Sequence, residues 1–177
     1  MIIRPAQVTD APAMGRVMVD TFLTAHHGQM PEEAWQKRKT EWTHDVSARN
    51  WTRAIAEIDD GNEAECIYVA VTTEGEVVGL AMGHPAATAQ TGEIGALYVQ
   101  PAHQGQGIGR QLVQAVAAHL ATTGITALHI AVLAANRPAR RFYEAIGGRV
   151  VGEREFDEEG FLLPEVVYGW PDIRVFF

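Results

Sequence analysis

Apolar residues recur four apart at Ile108, Leu112, Val116 and Leu120, with Gln111, Gln114 and His119 off the stripe, and this spacing predicts an amphipathic helix over 107–121. Met14, Val17, Met18 and Phe22 give a second helical stripe over 10–23. Residues 31–58 read as one or two further helices, with Trp35, Trp42 and Trp51 as anchors that pack them over a sheet. Strand patterns fall at 1–4, at 66–71 and 77–83 joined across Glu74-Gly75-Glu76, and at 94–99 as the next antiparallel strand. A strand at 128–133 precedes a short helix over 138–146 that Gly147-Gly148 stops, and 149–156 with 164–170 form a closing hairpin. The pattern is continuous α/β without linker or repeat, so residues 1–177 are expected to form one domain.

Composition fits that expectation: 47% hydrophobic and 20% charged residues in 177 are enough for a sizeable core. No apolar run approaches the roughly 18 residues of a membrane span, and the first residues lack the apolar segment of a secretion signal, so a cytoplasmic location without membrane attachment is expected. The one cysteine, Cys66, cannot form an internal disulfide and heads an apolar strand, which reads as a buried structural thiol. A net charge of -8 argues against a nucleic-acid partner, which requires a basic face. The acidic runs Asp59-Asp60 and Asp157-Glu158-Glu159 read as solvated turns; where such charge acts on a ligand, it favours a cationic amine over an anion.

The chemistry concentrates at Gln104-Gly105-Gln106-Gly107-Ile108-Gly109, between the 94–99 strand and the 107–121 helix. Glycines at alternate positions let backbone amides converge on an oxyanion, and the helix adds its unpaired amides and positive dipole end. A P-loop is excluded because Arg110-Gln111 stand where Lys-Ser/Thr is needed, and a dinucleotide fingerprint wants glycine where Arg110 stands. A phosphate-bearing ligand remains, with Arg110, Arg137, Arg140 and Arg141 as local cations.

The run Glu93-Ile-Gly-Ala-Leu-Tyr-Val-Gln-Pro-Ala-His-Gln-Gly-Gln-Gly-Ile-Gly resembles the strand, pyrophosphate loop and helix start of the GCN5-related N-acetyltransferases (GNAT), whose loop reads Gln/Arg-x-x-Gly-x-Gly/Ala. A second resemblance follows in order, Asn136-Arg-Pro-Ala-Arg-Arg-Phe142-Tyr143-Glu-Ala-Ile-Gly147. The likeness is most specific over 93–148; residues 20–60 carry none. It implies a central, mixed, mostly antiparallel twisted sheet of about seven strands, flanked by helices and splayed between strands 4 and 5. The cleft so opened would hold the pantetheine arm of acetyl-CoA, paired with free backbone groups of Leu97, Tyr98 and Val99 in the manner of an added strand. Gly95 and a bulge near Ala96-Leu97 would assist the splay. The pyrophosphate would rest on Gln104, Gly105, Gln106, Gly107, Ile108, Gly109 and Arg110, with Asn136 on the pantetheine or on its own loop.

Transfer of acetyl to a primary amine by direct attack needs a base for the ammonium and an acid for the leaving thiolate. The resemblance assigns the first role to Glu93, acting directly or through water, and the second to Tyr143, with Phe142 as packing. No metal is implied: His26-His27 lack accompanying ligands, and His103 reads as a loop histidine. Glu165 is a lesser candidate for holding the amine. The segments 22–58 and 156–163 would shape the acceptor pocket, the acceptor being a small molecule or peptide amine, and pairing of terminal strands into a homodimer fits the family. Open alternatives are a non-catalytic acyl-CoA sensor or scaffold, another acyl donor, and a hydroxyl acceptor.

Overall fold

The structure, a computed structural model, describes every residue except Ala89 and Glu159. Among the described residues seven strands form one sheet: β1 (Ile2–Pro5), β2 (Cys66–Val71), β3 (Val77–Pro85), β4 (Thr91–Val99), β5 (Ala127–Leu133), β6 (Arg149–Glu158) and β7 (Phe161–Trp170). Their order is β1-β2-β3-β4-β5-β7-β6, and every neighbouring pair is antiparallel except β4 and β5. Among the described residues five α-helices accompany it: α1 (Ala11–His26), α2 (Glu32–Glu41), α3 (His44–Asp59), α4 (Ile108–Thr122) and α5 (Arg137–Ala145). This is the mixed, mostly antiparallel sheet that the resemblance implied. None of the described helices is long and apolar enough to cross a membrane.

The helix stripes act as their spacing predicts. Ile108, Leu112, Val116 and Leu120 are all sealed in the core beneath one face of the sheet, each worth about 1.5–3 kcal/mol of burial. Two glycines bring α4 this close: a Cβ on Gly83 would stand 2.3 Å from Val116 Cγ1, and one on Gly92 2.7 Å from Leu120 Cδ1. Across the sheet, Ala11, Met14 and Val17 of α1 meet Trp51 and Ile55 of α3 over Ile67, Val69, Leu80 and Ala96. The α1–α3 crossing is tight at Gly15, where a Cβ would meet the His44 carbonyl at 2.7 Å.

The tryptophans divide. Trp51 packs over the sheet as expected, Trp35 packs against a second cluster that includes Leu133 of β5 and Leu163 of β7, and Trp42 lies outside the buried clusters. Trp35 donates from its indole to the Leu23 carbonyl, and Trp42 meets Phe22 edge-on at 5.1 Å. Trp35 lies in α2 and Trp42 directly follows it, near the end of α1, where Phe22 and Trp35 pack against Met30, Ala34, Leu133 and Leu163.

The splay has a clear register. β4 and β5 pair at Thr91↔Ala127, Gly92↔Leu128 and Glu93↔His129. Beyond that point β4 follows β3 while β5 follows β7. The bulge lies one residue earlier than expected: Met82 faces Ala96 and Gly83 faces Ile94, so Gly95 is the extra residue. A bulge reverses the facing of the strand and increases local twist, which carries β4 away from β5.

Candidate active site

Glu93 is the last residue of β4 paired with β5, so the cleft begins at its position. Above it, the Gln100 N–H donates to the Val78 carbonyl. By antiparallel alternation the amides of Ala96 and Tyr98 also turn to β3, and those of Leu97 and Val99 face the gap that β5 has left. One of these groups is already occupied: the Gln104 side-chain amide donates to the Val99 carbonyl at 2.9 Å. Gln104 thus fixes the loop to the strand end, and the Val99 carbonyl is not free as expected.

The glycine loop divides its work. Gly105 and Gly107 have φ of 75° and 80°, the left-handed region, and a Cβ on either would find no atom within 3.8 Å. Gly109 is helical, and a Cβ there would press on Phe142 Cζ at 3.1 Å, so this glycine serves packing against α5. The first intrahelical bond of α4 runs from the Gln111 N–H to the Gly107 carbonyl. The amides of Ile108, Gly109 and Arg110 are therefore the orphan donors of the helix start. The Gln106 side chain turns to the Ala102 carbonyl at 3.4 Å, away from the cleft.

A cavity of about 970 Å³ joins these groups. Glu93, Leu97, Tyr98, Val99, Gln104, Gly105, Gly107, Ile108, Gly109, Arg110, Asn136 and Tyr143 all line it; of the expected residues Gln106 does not. Arg110 alone of the four expected cations lines it. Arg140 instead donates to the Tyr168 hydroxyl at 3.2 Å and the Ala134 carbonyl at 3.1 Å, which ties α5 to β7. Asn136 caps α5, its Oδ1 accepting the Ala139 N–H at 3.2 Å, so its local role is that of a turn residue. His26 and His103 also line the cavity; burial pushes the His26 imidazole below its ordinary value, against the opposing bond to the Phe22 carbonyl.

Tyr143 is 6% exposed, its ring held by Phe142, Tyr168 and Trp170 at 5.3, 5.7 and 6.4 Å. Burial pushes its phenol well above the ordinary range, so it carries its proton at any physiological pH. Burial likewise pushes the Tyr98 phenol up to about 12, with Arg38 opposing and Glu158 adding. Cys66, outside this cavity, is raised by burial to about 12, consistent with a structural thiol.

The Glu93 carboxylate is not alone. Arg154 of β6 reaches it at 3.1 Å through Nη2 and holds Glu165 at 2.7 Å through Nε. The two carboxylates are 23% and 12% exposed, Arg154 47%. Glu165, the lesser candidate, is therefore joined to Glu93 by a residue that the sequence reading missed. Also missed was Glu158. Expected on a solvated turn, it is completely buried at the end of β6, its Oε1 bonded by Nε and Nη2 of Arg38. Of that acidic run only Asp157 is exposed as expected; Glu159 lies outside the described residues. The missed signal was period two: Arg154, Phe156 and Glu158 alternate along β6 and line the cavity together.

Comparison with known proteins agrees with this architecture. The model of the acetyltransferase (GNAT) family matches residues 29–148. The chain belongs to this family. It is similar to the uncharacterized N-acetyltransferase YuaI of Bacillus subtilis, at 28% identity over 97% of this chain and 93% of the relative. It is also 32% identical to the peptidyl-lysine N-acetyltransferase YjaB of Salmonella typhimurium, over 72% of this chain and 81% of that one. Among solved structures, PaiA N-acetyltransferase from Thermoplasma acidophilum in complex with coenzyme A superposes with a TM-score of 0.72 at 18% identity, covering 93% and 96% of the two chains. The Salmonella typhimurium acetyltransferase YncA with acetyl-CoA gives 0.69 at 20%, covering 96% and 92%. At such identities these two GNAT structures establish the fold alone.

Proposed function

We propose that this GNAT protein is an acetyl-CoA-dependent N-acetyltransferase that passes acetyl to a primary amine by direct attack in a ternary complex. The observation that carries the reading is the gap after Glu93, where the unpaired amides of Leu97 and Val99 stand beside the left-handed glycine loop and the open start of α4. These groups fit an acyl-CoA in two ways. Strand amides without a neighbour suit the amides of a pantetheine arm, and convergent amides at Gly105 to Arg110 suit a pyrophosphate. The two superposed relatives solved with coenzyme A or acetyl-CoA support the same ligand.

When bound, that ligand supplies an activated thioester. Glu93 takes the proton of the incoming ammonium, directly or through one water. Arg154 orients Glu93 and ties it to Glu165, so the two carboxylates form the amine's entry point. A strand amide at Leu97 or Val99 donates to the carbonyl oxygen as charge develops there. Tyr143, its phenol kept protonated by burial and its hydroxyl without a protein partner among the described residues, delivers a proton to the departing sulfur.

The test is thiol release with purified protein, acetyl-CoA and a panel of amines. Release that requires an amine and yields its acetylated product supports the reading. Binding of acetyl-CoA with no release against any amine would replace it by the non-catalytic sensor.

A further inference from the structure

Beyond the reacting amine, the far wall of the cavity carries an unused carboxylate oxygen. Glu158 is 1% exposed, Arg38 takes its Oε1, and its Oε2 has no hydrogen-bond partner. Leaving a buried polar atom unpaired costs on the order of 1–3 kcal/mol, more for a charged group, and such orphans concentrate where a ligand completes them. Phe22, Met30, Phe156 and Leu163 line the same cavity and offer apolar surface for a spacer.

We propose that Glu158 binds a second nitrogen of the acceptor, so that the preferred substrate is a diamine: one nitrogen at Glu93, an apolar spacer along Phe156, and a distal ammonium on Glu158 Oε2. The alternation of β6 gives the spacing. Arg154, which touches Glu93, and Glu158 are four residues apart on one face with Phe156 between them, about 13 Å along the strand. Charge gives the identity of the second group. Glu93, Glu158 and Glu165 face Arg154 and Arg38, three carboxylates against two guanidiniums. That surplus of one negative charge attracts a cationic acceptor, and once Glu93 has taken the proton of the reacting nitrogen the distal ammonium is held by the unpaired Oε2 of Glu158.

This inference rests on the amine-acetylating reading, and the experiment separates the two. Kinetics with acetyl-CoA compare alkane diamines of about six to twelve carbons, whose extended nitrogen-to-nitrogen lengths of roughly 9–16 Å bracket the strand spacing, with the monoamines of equal chain length. The expected result is a KM at least tenfold lower for the best diamine at similar kcat, and collapse of that ratio toward one in Glu158→Gln. Equal KM values for diamine and monoamine in the wild-type protein overturn the proposal without recourse to any variant, as does a ratio preserved in Glu158→Gln. Turnover with other amines but with neither of these series overturns it while leaving acetyl transfer intact. Absence of turnover with every amine overturns both.

Discussion

Gly107 is where the cofactor reading can be broken most cleanly. Its φ of 80° and ψ of 1° place it in the left-handed region at the start of α4. In Gly107→Val an L side chain there costs roughly 1–2 kcal/mol, with a β-branched residue at or above the upper end. No steric clash contributes, since the nearest atom to a Cβ is Gln111 Nε2 at 3.9 Å. For a domain of this size 2 kcal/mol lowers Tm by about 4–8 °C, which leaves the protein folded at 25 °C. Affinity should fall further, because relieving the strain rotates loop amides away from the ligand. Losing two amide bonds to a charged oxygen, at about 1.5–3 kcal/mol each, weakens binding roughly a hundredfold or more. Calorimetric titration with acetyl-CoA reads this directly. Gly124→Val is the control, since Gly124 has φ of 87°, also with open space around it, beyond the other end of α4. It should lose similar stability and keep its affinity. Normal binding by Gly107→Val, or equal loss in Gly124→Val, would refute the loop's role.

Glu93→Gln should slow turnover at least tenfold near pH 6.5, with the gap narrowing toward about pH 9–10, where more of the amine is already neutral; a pH–rate profile superposable on wild type removes Glu93 as base. Tyr143→Phe is expected to lower kcat by about ten- to a hundredfold with acetyl-CoA affinity retained, and a Kd that moves while kcat holds would mean the tyrosine only packs. A stability test concerns Asp10, whose carboxylate receives both Arg4 guanidinium nitrogens at 2.7 and 2.9 Å and the Gln7 N–H at 2.8 Å. Arg4 holds that carboxyl below its ordinary 3.8, so the unfolded chain binds the proton more readily. The pair's contribution is full above the unfolded value and disappears as pH falls through the folded one. Asp10→Asn should cost about 1–3 kcal/mol at pH 7, and its unfolding midpoint should converge with wild type only as pH falls below 3.8; a difference that persists unchanged well below 3.8 contradicts the assignment.

What the sequence reveals and conceals follows from range. The α4 stripe, the strands and the glycine loop are local: each depends on period or on a backbone conformation that only a few residues allow. The cleft itself was reached through the resemblance, because a splay is a property of two strands distant in sequence. The sequence points to a bulge near Ala96-Leu97 and the structure has it at Gly95, since the extra residue is defined only by the partner strand's register. The Gln104 side chain bonds the Val99 carbonyl and Arg140 serves α5 and β7, side-chain contacts that periodicity does not encode. Glu158 was concealed most thoroughly. An acidic run at a hairpin tip reads as solvated, and its burial depends on Arg38, 120 residues away.

The central claim is that the gap between β4 and β5, with the glycine loop beside it, is an acyl-CoA site. Calorimetric titration with acetyl-CoA, with NAD as the pyrophosphate-bearing control, tests it most directly. The account expects one acetyl-CoA per chain with micromolar affinity and no comparable heat from NAD. Equal binding of the two would mean the loop recognises a pyrophosphate without the strand amides, and no binding of acetyl-CoA would contradict the account outright.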